Sequence, residues 1–249
     1  MDWLSADAAG RLADGLVVTL VITLLTSVLA LAAAAWVAGA RQSPRRAVRV
    51  AAVTYTEVFR NVPALIQIIF WAFAFPTVVA PDTRRTLFFD NAWWDMLSDL
   101  TGLSIPYYAC AAALGLVLNT SAHLAEILRS GLEAIPEEHA EAARSLGASR
   151  RRAYATVQLP LAARRSFPGL SNRLVHNMKN TALVSFVAVP DLFHAMQANI
   201  TETFRASEYL LLVGVVYLCL SLIMTAGLDR LDRRLHHGRP AKERVRVHG

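Results

Sequence analysis

The sequence predicts an all-α integral membrane protein with five transmembrane helices and its N-terminus outside the membrane. Three observations predict this. The chain is 55% hydrophobic with a mean hydropathy of +0.37, too apolar for an ordinary soluble domain. Its apolar residues gather in long runs without charge. Its lysines and arginines fall on alternate loops between those runs. The whole chain, 1–249, reads as a single transmembrane domain.

Each element follows in order. Leu16 to Ala38 carries no charge and predicts a first span over about 15–39. A run of this length crosses a hydrocarbon core of ~30 Å as a helix. Asp2, Asp7 and Asp14 flank a single Arg11, so the basic start of a secretory signal is missing and the run is expected to stay as a span. Asn61 to Pro81 is uncharged and predicts a second span over about 52–80, kinked at Pro63. Ile105 to Ala125 is broken only by His123 and gives a third, about 105–128. Leu174 to Pro190 is weaker because it contains Lys179; it gives a fourth, about 168–190. Tyr209 to Leu228 gives the fifth, about 206–228, followed by a basic tail over 229–249. Cys110 and Cys219 both lie in apolar spans and read as small packing residues. No CxxC or Cys/His cluster points to a metal.

The charges set the orientation. Arg41, Arg45, Arg46 and Arg49 share one short loop, eight basic residues lie between Arg129 and Arg173, and seven follow the last span. The alternate loops hold only Arg11, Arg84, Arg85 and Arg205. Cytoplasmic loops collect Lys and Arg, so the tail is inside and the N-terminus outside. The net charge of +6 is therefore a membrane-topology signal, and the expected partner is the lipid bilayer, not nucleic acid. Phe88, Phe89, Trp93 and Trp94, in the outer loop 82–104, fit an interfacial aromatic belt.

The cytoplasmic loop 133–160 interrupts this oily chain with two short helices. Pro136 fits a first helical position, with Glu137 and Glu138 in the first turn. Gly147 suits a left-handed helix end, Ser149 caps a second helix over 150–157, and Pro160 stops it. Ala140, Ala143 and Gly147 form a small-residue stripe bordered by Leu146. Such a stripe suits the groove of another protein, and equally a solvated loop helix.

Glu141-Ala142-Ala143, then Gly147, then Val157-x-Leu159-Pro160 resembles the EAA loop of ATP-binding-cassette importer permeases. That pattern reads EAA, three residues, Gly, nine residues, Ile-x-Leu-Pro; only Val157 departs from it. "EVFRNVPALIQIIFW" (57–71) is similar to the FRGTPLLVQ segment of polar amino-acid permeases, and "KNTALVSFVAVPDLFHAMQ" (179–197) to their KDTSLVSVIGVPELLRAAQ. "LNTSAHLAEILRSGL" (118–132) resembles their third span. The resemblance implies a coupling helix that docks into an ATPase, with Glu141, Ala142, Ala143, Gly147, Leu159 and Pro160 at the contact. It implies two ATPase subunits carrying the ATP and magnesium, a second permease chain, same or paralogous, an extracytoplasmic substrate-binding protein, and a place in a bacterial cell membrane. The chain itself would bind no cofactor. Asn180 stands where the family has Asp, and Asn61-Val62 where it has Gly-Thr; both departures bear on substrate identity.

Polar residues at membrane depth are the candidates for a substrate path: Arg60, Asn61, Pro63, Gln67, Asn119, Lys179, Asn180, Thr181 and Ser185. Arg60 follows Glu57 by three residues, so a local ion pair, snorkelling or a pore role all fit. Asn119, His123 and Glu126 share one helix face, which suits pore lining or interhelix bonding better than a metal. Lys179 has no adjacent acid, which favours a substrate carboxylate and ranks glutamate, or a similar polar amino acid, above a cationic one. The chain has no GxxxxGK[ST] loop, so it is expected to be a transport subunit without ATPase activity of its own. A secondary transporter driven by an ion gradient would need intramembrane acids; only Glu57 and Glu126 qualify, both near span ends. A permease for a different small polar solute is the other alternative, and an intramembrane enzyme lacks a GxSxG or HExxH setting.

Overall fold

The computed structural model describes residues 4–84, 88 and 107–236. The first helix, α1 (Ala6–Arg41), starts where the Ser5 hydroxyl accepts a hydrogen bond from the Ala8 amide at 3.1 Å. Its burial pattern is inverted relative to a water-soluble helix. Thr19, Thr23, Thr26, Ser27, Ala30 and Ala34 face inward, while Val17, Val21, Leu24, Leu25, Val28 and Leu29 are exposed. Small and hydroxyl side chains inside with large aliphatics outside is the pattern that lipid selects.

Arg46–Asn61 forms α2 and Ala64–Thr77 forms α3, the latter containing a π-helical turn at Phe70–Ala74. The two meet at 106°. The expected kink at Pro63 is thus a full break: Pro63 donates no hydrogen bond, and Val62 and Pro63 leave the helix altogether. Next, α4 (Tyr107–Glu133) is the central helix, packed against α1, α2 and α3. Among the described residues, three helices are long and apolar enough to cross a membrane, and two bent pairs bring the count to as many as five.

The loop holds α5 (Glu138–Ser145) and a longer helix, α6, over 150–165. Pro136 lies before α5, whose first turn starts two residues later; with a proline there, the chain turns before it coils. Pro160 does not stop α6. A π turn at Tyr154–Gln158 precedes it, the Leu159 amide bonds back to the Tyr154 carbonyl, and the helix runs on to Arg165. The wider turn absorbs the missing amide of Pro160. Phe88 is buried against Phe75 and Tyr107 rather than sitting in an interfacial belt; Phe89, Trp93 and Trp94 lie outside the described residues.

Phe167–Val187 forms α7, ending in a 3-10 stretch from Thr181, and the chain reverses at Ala188 with φ 60°. Asp191 caps α8 (Leu192–Thr203) by accepting from the His194 amide at 2.9 Å. α9 (Ala206–His236) completes the described chain. Apolar contacts join α1, α4, α6 and α7 around Ala34, Leu124, Leu128 and Ala162. A second group joins α3, α4 and α7 around Ile68, Leu116 and Val184. A third joins α1, α8 and α9 around Leu12, Met196 and Tyr209.

Gly15 is where α1 passes the turn into α8. A Cβ there would stand 2.7 Å from the Asp191 carbonyl oxygen and 2.9 Å from the Leu192 Cα, both backbone atoms that cannot swing aside. Gly15→Ala should therefore destabilise the purified protein by about 1–3 kcal/mol, the usual cost of overpacking. Gly10→Ala, on the same helix with nothing within 4 Å, should leave the thermal midpoint unchanged or raise it. Equal midpoints for the two variants in a detergent melt would contradict the packing described.

Candidate functional site

The break between α2 and α3 frees backbone carbonyls that have no helical partner. In a membrane-buried segment these must be satisfied by protein. Gln67 Nε2 donates to the carbonyls of Phe59 and Val62, both at 2.8 Å. Asn119 Nδ2, from α4, donates to the same two at 2.9 and 3.3 Å. Asn119 Oδ1 in turn accepts from Arg173 Nη2 at 2.5 Å, and Arg173 Nη1 lies 3.3 Å from His176 Nδ1. Three helices thus converge on the break. Among the described residues, Gln67 Oε1 and Arg173 Nε are buried without a hydrogen-bond partner.

A second polar cluster lies on the other flank of α4. Asn177 is 0% exposed. Its Oδ1 accepts from Thr120 Oγ1 at 2.8 Å, and its Nδ2 donates to Thr26 Oγ1 at 2.9 Å and Ser27 Oγ at 3.1 Å. One amide therefore ties α1, α4 and α7 together. Sequence reasoning missed Asn177 and assigned Arg173 to the loop. The available signal was the three-residue spacing of Arg173, His176 and Lys179, which puts them along one side of α7.

The remaining path candidates divide by environment. Asn61 folds back onto its own helix, donating to the Glu57 carbonyl at 2.7 Å. Pro63 is exposed at the break. Lys179 is exposed and makes no ion pair among the described residues, Asn180 beside it is half-buried, and Thr181 and Ser185 are buried and bonded to carbonyls of their own helix. Arg60 lies 3.4 Å from Glu57 and 3.9 Å from Glu126. Glu126 also takes Arg41 at 2.6 Å and Arg129 at 2.7 Å, and Arg129 pairs with Glu133 as well. Arg60 thus belongs to a charge cluster that gathers the ends of α1, α2 and α4, while Glu126 and Asn119, on one helix, serve different clusters.

The loop presents a different surface. Every residue of α5 is exposed or half-buried, and Leu146 beyond it is 90% exposed. Gly147 has φ 86°, the left-handed conformation expected of it, and no heavy atom within 4 Å of where a Cβ would stand. The small-residue stripe divides: Ala140 and Ala143 are half-buried toward the chain's own loop, while Glu141, Ala142, Leu146 and Gly147 face outward. α6 is the foundation. Ser149 caps it, as expected, by accepting from the Arg152 amide at 3.3 Å. Arg150 donates to the Gln42 carbonyl at 2.8 Å and Tyr154 to the Ala35 carbonyl at 2.6 Å. Burial pushes the Tyr154 phenol up to about 12, so it remains a donor at neutral pH. Leu159 packs into the core around Ala162, and Pro160 is exposed.

Comparison with known proteins matches residues 28–237 to the family described as "Binding-protein-dependent transport system inner membrane component". The glutamine transport system permease protein GlnP of Escherichia coli (strain K12) is 33% identical over 74% of this chain and 74% of its own. The octopine transport system permease protein OccM of Rhizobium radiobacter is 31% identical over 72% of this chain and 66% of its own, so the chain spans just under two thirds of that relative's length. A solved chain described as an amino acid ABC transporter with histidines superposes with a TM-score of 0.70 at 26% identity, over 91% of this chain and 94% of that one. With these matches, the bundle of broken apolar helices is that of a membrane permease. The chain belongs to the family of binding-protein-dependent transport system inner membrane components.

Asn119→Leu removes the second donor from each of two carbonyls that Gln67 still serves, and takes from the half-buried Arg173 the acceptor of its Nη2. It should destabilise the protein by about 1–3 kcal/mol, the cost of leaving buried polar groups unpaired, and abolish uptake in cells. Asn61→Ala, which loses bonds only to its own helix, should leave the thermal midpoint within a degree or two of wild type. An Asn119→Leu protein that melts like Asn61→Ala would show that the break needs no clamp from α4.

Proposed function

We propose that this chain is the permease subunit of an ATP-driven importer for a polar amino acid, in the inner membrane of a bacterium. One observation carries the reading. The outward side chains of Glu141 and Ala142 on α5, with Leu146 and Gly147 just beyond it, lead directly into α6, which Arg150 and Tyr154 tie to the end of α1. This is the arrangement a coupling helix needs: a surface offered to a partner and a stiff connection to the spans. The names of the relatives support the amino-acid class.

In this reading the bent pairs each count as one span, giving five, with the N-terminus outside and α5 and α6 in the cytoplasm. Two such chains enclose the path, and two ATPase subunits, which hold ATP and magnesium, grip α5 from below. A binding protein delivers substrate from the other side. Closure of the ATPases moves α5 and α6 with the end of α1, and the paired permeases rock between inward-open and outward-open states. ATP and loaded binding protein shift that balance only through their different affinities for the two states.

Substrate ranking rests on Lys179. It is exposed beside Asn180, with Arg173 and His176 along the same helix. A basic face with Asn180 where the resembled family pattern has Asp favours a substrate carboxylate and disfavours a second cation. Glutamate, or a similar polar amino acid, is the substrate this predicts. The test is uptake into proteoliposomes holding the full complex, with glutamate, glutamine and arginine at equal concentration. Glutamate should enter fastest, and Lys179→Ala should slow it several-fold. Arginine entering faster than glutamate would overturn the ranking while leaving the permease assignment intact; failure to co-purify any ATPase subunit would overturn the assignment itself.

A further inference from the structure

A groove of about 760 Å³ opens where the end of α1, the connection to α2 and the start of α6 meet. Trp36, Pro44, Arg45, Val48, Arg150 and Arg151 line it. Its charge is one-sided. The lining holds three guanidinium groups and no acid, and none of the three makes an ion pair among the described residues. Arg150 is fixed by its bond to the Gln42 carbonyl at 2.8 Å, so that positive centre is held in place rather than waving in solvent.

The other wall is apolar and leads into the bilayer. Trp36 is 74% exposed. It stands seven residues beyond Leu29, on the same side of α1 as the exposed Val17, Val21, Leu25 and Leu29. That stripe is the lipid-facing surface of the helix. It ends at an indole, the side chain enriched where hydrocarbon meets headgroups. The groove's arginines begin past the end of α1, at Arg45, nine residues beyond Trp36. Apolar stripe, aromatic, then clustered guanidinium is the order in which a phospholipid presents acyl chain, glycerol and phosphate.

We propose that this groove binds an anionic phospholipid of the cytoplasmic leaflet, with its phosphate between Arg45, Arg150 and Arg151 and an acyl chain along Trp36 and the α1 stripe. The inference rests on the membrane orientation proposed above. It has a consequence for coupling. A lipid seated here touches both the end of α1 and the base of the loop helices, the two parts that Tyr154 and Arg150 join. An acidic surface of the ATPase subunit is the competing occupant. The exposed Trp36 and the stripe behind it argue for lipid, since an aqueous partner gains nothing from continuity with the hydrocarbon face.

The test is the thermal midpoint of the intact importer complex in a mild neutral detergent, titrated with dioleoylphosphatidylglycerol, dioleoylphosphatidylcholine or sodium phosphate. Wild type should be stabilised saturably by phosphatidylglycerol and not by the other two. Arg45→Gln/Arg151→Gln, which spares the Arg150–Gln42 bond, should weaken half-saturation by roughly thirtyfold, since each basic residue near an anionic surface contributes about 1 kcal/mol. Trp36→Ala should weaken it with no change in charge, and Arg164→Gln, an exposed arginine on the same side, should not. An unchanged response in the double variant overturns the proposal. So does equal protection by sodium phosphate, which would make this a free-anion site. So does loss of the ATPase subunits from the double variant with its lipid response intact, which would make the groove a protein contact. Failure of the transport reading would look different: the phosphatidylglycerol response would persist in a protein that moves no amino acid.

Discussion

A helix that breaks leaves backbone carbonyls without a helical partner, and the arrangement of this protein follows from where it breaks. The carbonyls of Phe59 and Val62 take hydrogen bonds from Gln67 and from Asn119. Asn119 can reach them only if α4 passes directly beside the break, and Arg173 can reach Asn119 only if α7 lies on the same side. One unsatisfied stretch of chain thereby fixes the relative positions of α2, α3, α4 and α7. The second break obeys the same constraint. Ala188 turns the chain in the left-handed region, Asp191 caps α8, and the Leu192 amide donates to Thr19 on α1 at 3.1 Å. Gly15 gives that turn the room to approach.

Polar side chains in this molecule therefore fall into groups with different tasks. Asn119, Gln67 and Asn177 are spent on holding helices together. Glu126 gathers Arg41, Arg60 and Arg129 at the ends of three helices, a charge cluster in partly exposed surroundings where each single pair contributes little and the network orders the helix ends. Lys179 belongs to neither group; it is exposed and has no ion-pair partner among the described residues. The difference matters for the proposed transport role, because a group already committed to a backbone carbonyl is poorly free to bind a passing substrate. Asn119 and Gln67, both candidates by sequence, are committed in this way. Lys179 is not.

The long apolar helices were legible because lipid demands apolar character over a fixed length, and Leu16 to Ala38 or Tyr209 to Leu228 meet that demand without reference to any neighbour. The local punctuation of the loop was legible for a similar reason. Gly147 and Ser149 act through their own backbone and side chain, and both sit as expected. What depended on distant partners was not legible. Pro63 announces a disturbance but not a 106° turn, since the turn is sustained by an asparagine on another helix. Pro160 reads as a stop, yet a π turn at Tyr154–Gln158 accommodates it while Tyr154 and Leu159 hold the helix in place. Asn177 was not singled out because its partners, Thr26, Ser27 and Thr120, come from two other helices.

The polar loop is split into an anchored inner face and an exposed outer face, which is the face proposed to meet an ATPase. Cysteine cross-linking reads this most directly. In a background with Cys110 and Cys219 replaced by Ser, Ala142→Cys and Leu146→Cys should each cross-link to the ATPase subunit of the intact complex, with yields that change when ATP is bound. Ala153→Cys, at a position 2% exposed at the base of α6, should not cross-link. Cross-linking at Ala153 with none at Ala142 or Leu146 would contradict the account.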